Sequence, residues 1–242
     1  MRPAEKPSIS LSPAVIMARG SFGQGLTQTL TLTNQTGRDF AFELAAEDVI
    51  VKEGKRVFVP AGETPNSIAA TAVFSKKTLL VKSFSSGSVD VRLTLPAQTG
   101  IRAVVAMFRG TDVLTSSNDA VGMTASLGAL ITFNVTDDLK LQPESVRVTP
   151  ASDTANMTIS QWMSNTGSEP ALPEGTAAVL NSSGALVGKA NFPPQRLLPG
   201  ERLEFSAEYP GDLPPGSYRV LCSLQFEGKT LTSEGKFEVP KK

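Results

Sequence analysis

The stretch "LPPGSYRVLCSLQFEG", residues 213–228, decides the fold, because "LPAQTGIRAVVAMFRG", residues 95–110, has the same length, the same Leu-Pro start and the same Phe-x-Gly end. Each reads as a turn built on Pro and Gly followed by an apolar strand. Upstream, "SSGSVDV" at 85–91 answers "LPGERLEF" at 198–205, each a turn running into a strand. Further back, residues 26–37 run into a turn at "NQTG" and residues 155–167 into one at "NTG", where Asn and Gly tolerate the backbone angles of a tight turn. The order turn, strand, turn, strand is therefore repeated, and one architectural unit occurs twice.

Period-two alternation gives the type of unit. In "SVDVRLTL" the residues Val89, Val91, Leu93 and Leu95 point one way and Ser88, Asp90, Arg92 and Thr94 the other. "RLEFSAEY" sets Leu203, Phe205, Ala207 and Tyr209 against Arg202, Glu204, Ser206 and Glu208. "LTQTLTLT" sets Leu26, Leu30 and Leu32 against four threonines, whose β-branched side chains suit a pleated, partly wet surface. The alanines of "SIAATAVFSKKTLLV", residues 67–81, suggest a helical turn before a strand. Short strands at regular spacing, with no convincing helical stretch, predict an all-β chain of two tandem antiparallel β-sandwiches. The polar stretch "NVTDDLKLQPES" sets the expected domains at 1–137 and 138–242.

Composition narrows the chemistry. The 242 residues are 40% hydrophobic and 19% charged, enough for globular domains of ordinary size. With 23 basic and 23 acidic residues, no overall field recommends a nucleic-acid partner. The longest apolar run, Ala103 to Phe108, is far short of the ~20 residues that cross a bilayer, so no membrane insertion is expected. The single cysteine, Cys222, sits in an apolar alternation and reads as a core thiol.

There is no histidine, which removes Ser-His-Asp and Cys-His catalysis and histidine metal sites. Glu43, Glu47, Asp48 and Glu53 fall into no calcium-loop spacing and read as the solvated side and edge of a strand pair, while Asp137 and Asp138 read as a linker. The glycines of "RGSFGQG", residues 19–25, are wrongly spaced for a phosphate cradle and precede a strand, so this is a strand connection. Trp162, beside Gln161, is expected in ordinary core packing, a surface or interdomain contact being the alternative reading. No cofactor and no enzymatic activity are expected.

"ISLSPAVI", "TLTLTNQTGRDFAFEL", "SSGSVDVRLTLP" and "SLGALITFNV" resemble the first domain of the periplasmic pilus-chaperone (PapD-like) superfamily. "SNTGSEP", "LNSSGALVG", "LLPGERLEF" and "LPPGSYRVLCSLQFEG" resemble bacterial immunoglobulin-like modules, and Tyr218 resembles the tyrosine corner of that fold. The resemblance implies two immunoglobulin-like sandwiches and a non-enzymatic role in the periplasm or at the cell surface, the secretion signal having been removed. It also implies a protein partner in the cell envelope, met by strand pairing in surface or pilus assembly. Pilus chaperones hold a partner's terminal carboxylate with an arginine in the first strand and a lysine in a later one. Here "SLSPAVIMA" has no basic residue before Arg19, and "VGMTASLGALITFNVT" has none.

Within that closing segment Val121, Met123, Ala125 and Leu127 alternate, and part of residues 121–135 is expected on an edge able to pair with another chain. The competing reading of the same residues is a fully paired core strand. A different class, an accessory module binding a glycan or envelope polymer, would need an exposed row of aromatics.

Overall fold

A computed structural model describes residues 8–113, 122–151 and 156–240. Contacts divide the chain into two compact units, one of Met1–Ile50 with Val57–Thr136 and one of Val51–Arg56 with Asp137–Lys242. Both are antiparallel β-sandwiches of immunoglobulin-like type, and the alternating segments are their strands.

The first unit begins with β1 (Ile9–Ser12), β2 (Val15–Arg19), β3 (Gly25–Asn34), β4 (Phe40–Lys52, its last two residues counted in the second unit) and β5 (Lys55–Pro60, its first two counted there too). It continues with β6 (Val73–Phe74), β7 (Thr78–Val81), β8 (Ser85–Thr94), β9 (Ala103–Asp112) and β10 (Thr124–Asn134). One sheet has the order β1-β3-β8-β6; the other runs β2-β10-β9-β4-β5, with β7 pairing β4. The helical turn expected of the alanines is a short 3-10 segment, Ala69–Thr71. Between the sheets lie Leu30, Leu32, Phe40, Phe42, Val89, Val91, Leu93, Phe108 and Ile131. Burying each such side chain is worth ~1.5–3 kcal/mol.

The first strand is divided. β1 pairs antiparallel with β3, whereas β2, after Pro13 and Ala14, pairs parallel with β10 in the opposite sheet. Pro13 lies at the crossing, where a residue without an N–H interrupts no ladder.

The second unit contains β11 (Leu141–Thr149), β12 (Met157–Asn165), β13 (Glu174–Leu180), β14 (Leu186–Phe192), β15 (Arg202–Tyr209), β16 (Gly216–Phe226) and β17 (Lys229–Val239). Its sheets are β11-β12-β15 and β14-β13-β16-β17. The apolar strands of the two Leu-Pro segments, 95–110 and 213–228, are β9 and β16. Each is central in its sheet, β9 between β10 and β4, β16 between β17 and β13.

The repeat extends to atoms. Asn34 donates through Nδ2 to the Arg38 carbonyl at 2.7 Å and accepts the Thr36 N–H at Oδ1. Asn165 donates to the Glu169 carbonyl at 2.8 Å and accepts the Gly167 N–H. The Tyr218 hydroxyl donates to the Pro214 carbonyl at 2.6 Å, as a tyrosine corner requires. Cys222 is buried, and burial pushes its thiol up to about 11 against a weaker opposing hydrogen bond with Ser233.

Two expectations fail. Trp162 is not in the core: its ring lies under the Arg202 guanidinium, 4.0 Å away, while the neighbouring Gln161 is the buried residue. The β11 ladder shifts register between Pro143 and Val146, and the Glu144 carbonyl there accepts from Gln161 Nε2. Ser233 donates to Gln161 Oε1, so the amide is satisfied inside. Asp48, expected on a solvated side, is fully buried and accepts from the Thr64 hydroxyl at 2.6 Å and the Ala69 N–H at 2.9 Å. Those two donors replace the water that the carboxylate loses.

Candidate functional site: the open edge of β10

β10 pairs with β9 along Thr124–Thr132, but β2 reaches it only at Leu130–Asn134. Among the described residues, Thr124–Ala129 therefore have a strand on one side only. The direction of their backbone groups follows from the bonds that are made. On the β9 side, Asp112 N–H donates to Met123 O at 3.0 Å and Phe133 N–H to Arg102 O at 2.8 Å. On the β2 side, Leu130 N–H donates to Ala14 O at 2.9 Å and Asn134 O accepts from Gly20 N–H at 3.2 Å. Odd residues thus serve β9 and even residues the other side. Thr124, Ser126 and Gly128 turn their N–H and C=O groups to the open edge.

The side chains follow the same parity. Ala129 and Ile131 face the core and are fully buried, whereas Ala125 and Leu127, on the same face, are half-buried and pack against it. The core residues of β10 become less covered where β2 stops. Met123 precedes the strand and is 47% exposed. Of the residues singled out in the sequence, Ala125 and Leu127 lie on the open half of β10 and Met123 at its start; Val121 lies outside the described residues.

Gly128, which the sequence does not mark, has a reason to lack a side chain. A Cβ there would sit 2.8 Å from Val105 Cγ2 and 3.2 Å from Met107 Sδ. Those two β9 side chains lean over the strand, and the Gly128 backbone stays accessible. Beside the edge lies a depression of about 570 Å³, lined among others by Glu43, Thr78, Arg109, Thr111, Thr124 and Ser126.

Sheet edges are ordinarily blunted by charge, proline or bulges. β17 carries Lys229, Glu234, Lys236 and Glu238, β5 carries Lys55, Arg56 and Pro60, and β11 has Pro143 and a register shift. The Thr-Ala-Ser-Leu-Gly-Ala run of 124–129 has none of these. β3 also has an uncovered stretch, since β1 reaches only Thr31–Asn34, but its core-facing row is broken by Gln28. Unlike the edges of β17, β5 and β11, this open stretch of β10 carries no such device.

Among the described residues, no group of three or more His, Cys, Asp or Glu is placed to hold a metal ion. Tyr209 and Tyr218 are buried and Trp162 is covered by Arg202, so Trp and Tyr form no exposed stacking row. No helix of the described residues is long and apolar enough to cross a membrane.

No protein-family model matches the chain, and no curated protein matches it. Among solved structures, those similar to it include pilus chaperones. The class 5 fimbriae chaperone CfaA is 14% identical, with TM-score 0.44, covering 97% of this chain and 100% of that one. A chain of the CsuC-CsuE chaperone-tip adhesion subunit pre-assembly complex of Acinetobacter baumannii is 12% identical, with TM-score 0.44 and coverage of 94% and 97%. A chain of the SafA pilin–SafB chaperone complex of Salmonella enterica is 11% identical, with TM-score 0.43 and 99% of both chains covered. What the β10 edge can do follows from its own pairing rather than from these similarities.

Proposed function

We propose that the chain is a non-enzymatic protein-binding module of the bacterial periplasm or cell surface, acting in pilus or other surface assembly by pairing an extended segment of its partner with Thr124–Ala129. The observation that carries this reading is the one-sided pairing of an uncharged, proline-free strand. An added strand satisfies the backbone groups of Thr124, Ser126 and Gly128, each new hydrogen bond being worth ~0.5–1.5 kcal/mol net. Its inward side chains complete the cover over Ala125 and Leu127. Met123–Asn134 itself carries no basic residue to hold a partner's terminal carboxylate.

Ser126→Pro is the informative variant. It removes an N–H that points to the open edge and leaves the ladder to β9 intact, the position at which an edge strand tolerates proline. Partner recovery from an envelope extract is expected to be lost while the thermal midpoint moves by only a few degrees, a change of roughly 1 kcal/mol or less. In the wild-type complex, hydrogen exchange should slow at the amides of Thr124, Ser126 and Gly128. Undiminished recovery with Ser126→Pro, or slowed exchange elsewhere only, would overturn the reading.

A further inference from the structure

Beside its open edge, the outer face of β10 holds a small apolar niche centred on Gly128. Register sets Gly128 beside Met107, and Leu130 between Val105 and Val15. These residues point away from the core, to which β9 contributes Val104, Ala106 and Phe108 instead. Gly128 is exposed, and Val105 Cγ2 and Met107 Sδ lie 2.8 and 3.2 Å from the place a Cβ would take. The glycine is thus the floor of the niche and those two side chains its far wall. Val15, 52% exposed, and the half-buried Leu130 close the end at which β2 begins.

The side toward the open edge has no wall among the described residues, and a strand added along Thr124–Ala129 supplies it. Cross-strand neighbours share a face, so the incoming residue opposite Gly128 also points outward, while those opposite Leu127 and Ala129 turn inward. That outward residue stands ~4.8 Å from Gly128 across the ladder and ~7 Å short of Val15 along the strand. Gly128 puts no side chain in between, so this one side chain can touch Met107, Val105 and Leu130 together. The walls carry no charge, and the charged side chains next to them on this face, Arg109 and Glu47, are engaged with each other.

Resting on the edge pairing proposed above, we infer that the partner's segment carries an aromatic side chain opposite Gly128. A flat ring covers glycine backbone that no side chain of its own strand covers, and the Met107 thioether is a favourable neighbour for a ring. The aliphatic walls add contact area. A carboxylate or ammonium in the same place would lose water and gain no partner. Gly128 and Met107 therefore set which extended segments the edge prefers, beyond the backbone pairing that any segment can make.

The test is titration of the full chain with three acetylated peptides, Thr-X-Val-X-Thr followed by one Gly-Ser-Lys-Lys tail, in which X is Phe, Leu or Ala. The five residues read the same in both directions, so parallel and antiparallel pairing are probed alike. Saturable shifts are expected at the amides of Thr124, Ser126 and Gly128, with the Phe peptide binding roughly tenfold tighter than the Ala peptide and the Leu peptide in between. Only the Phe peptide should move the Met107 methyl resonance upfield, by its ring current. Met107→Ala should bring the Phe peptide to within about threefold of the Ala peptide; the methyl shift in the wild-type chain reads the same contact without any substitution. If the three peptides bind alike while shifting those amides, the edge pairing stands and the niche falls. A preference for Phe with no movement of the Met107 methyl also overturns it. If shifts lie on other faces, or none is saturable at millimolar peptide, the edge pairing falls and the niche with it.

Discussion

Phe84 has φ 52° and is 76% exposed, an unusual pairing for an aromatic residue. The turn around it is held by Ser83 N–H donating to the Asp39 carboxylate at 2.7 Å and Ser85 N–H donating to Lys82 O at 3.2 Å. Left-handed backbone costs a non-glycine residue ~1–2 kcal/mol, and a ring this exposed returns little of it by packing. Phe84→Gly is therefore expected to raise the thermal midpoint by a few degrees, somewhat less than the full strain because glycine also loosens the unfolded chain. A lower midpoint would mean that the ring packs. Asp112 has a sign that can be worked out. Its hydrogen bond with Arg38 and the Met123 N–H hold its carboxyl below the ordinary value of 3.8, against some desolvation. A lowered folded value stabilises above the unfolded value and is lost as pH falls through the folded one. Urea midpoints measured from about pH 5 down to about pH 2 should therefore drop less for Asp112→Asn than for wild type. The Cys222 thiol, buried and raised to about 11, should resist a thiol reagent at pH 8 until denaturant is added.

At the scale of elements, two buried asparagines close β3 and β12. Each satisfies a carbonyl four residues on and an N–H two residues on, so Asn34→Ala and Asn165→Ala should each cost roughly 1–3 kcal/mol by denaturant unfolding. The sequence marked these turns by their Asn and Gly but not the burial of the amides, because a turn signature is local and burial is not. Gly175 shows how closely β13 and β16 approach: a Cβ there would lie 1.9 Å from the Ser223 carbonyl oxygen. Backbone cannot yield as a flexible side chain does, so Gly175→Ala should destabilise by more than the ~1–3 kcal/mol usual for overpacking. Trp162 departs from the core, and Gln161 occupies it, for a comparable reason. Period two fixes that neighbours face opposite ways, and only the irregular β11 ladder makes the inside acceptable to an amide.

For the whole molecule, strands distant in sequence must find one another before either sandwich is stable. β2 pairs with β10 and β3 with β8, so contact order is high and refolding is expected on a ~millisecond-to-second scale by stopped-flow fluorescence or circular dichroism. A microsecond phase carrying the full amplitude would contradict that topology.

Alternation in "SVDVRLTL" and "RLEFSAEY", the doubled Leu-Pro segment and the missing histidines settled, without coordinates, an all-β repeated architecture and removed whole classes of catalysis. Those properties follow from side-chain period, turn chemistry and the inventory of functional groups, all written along the chain. The alternation of Met123, Ala125 and Leu127 was visible too, but not which side of that strand is open. That depended on the chain leaving the sheet of β1 at Pro13 and, as β2, covering β10 only from Leu130 onward. An edge is defined by the neighbour a strand lacks, and the neighbour here comes from more than a hundred residues away, so tertiary pairing alone decided which half of the strand is open.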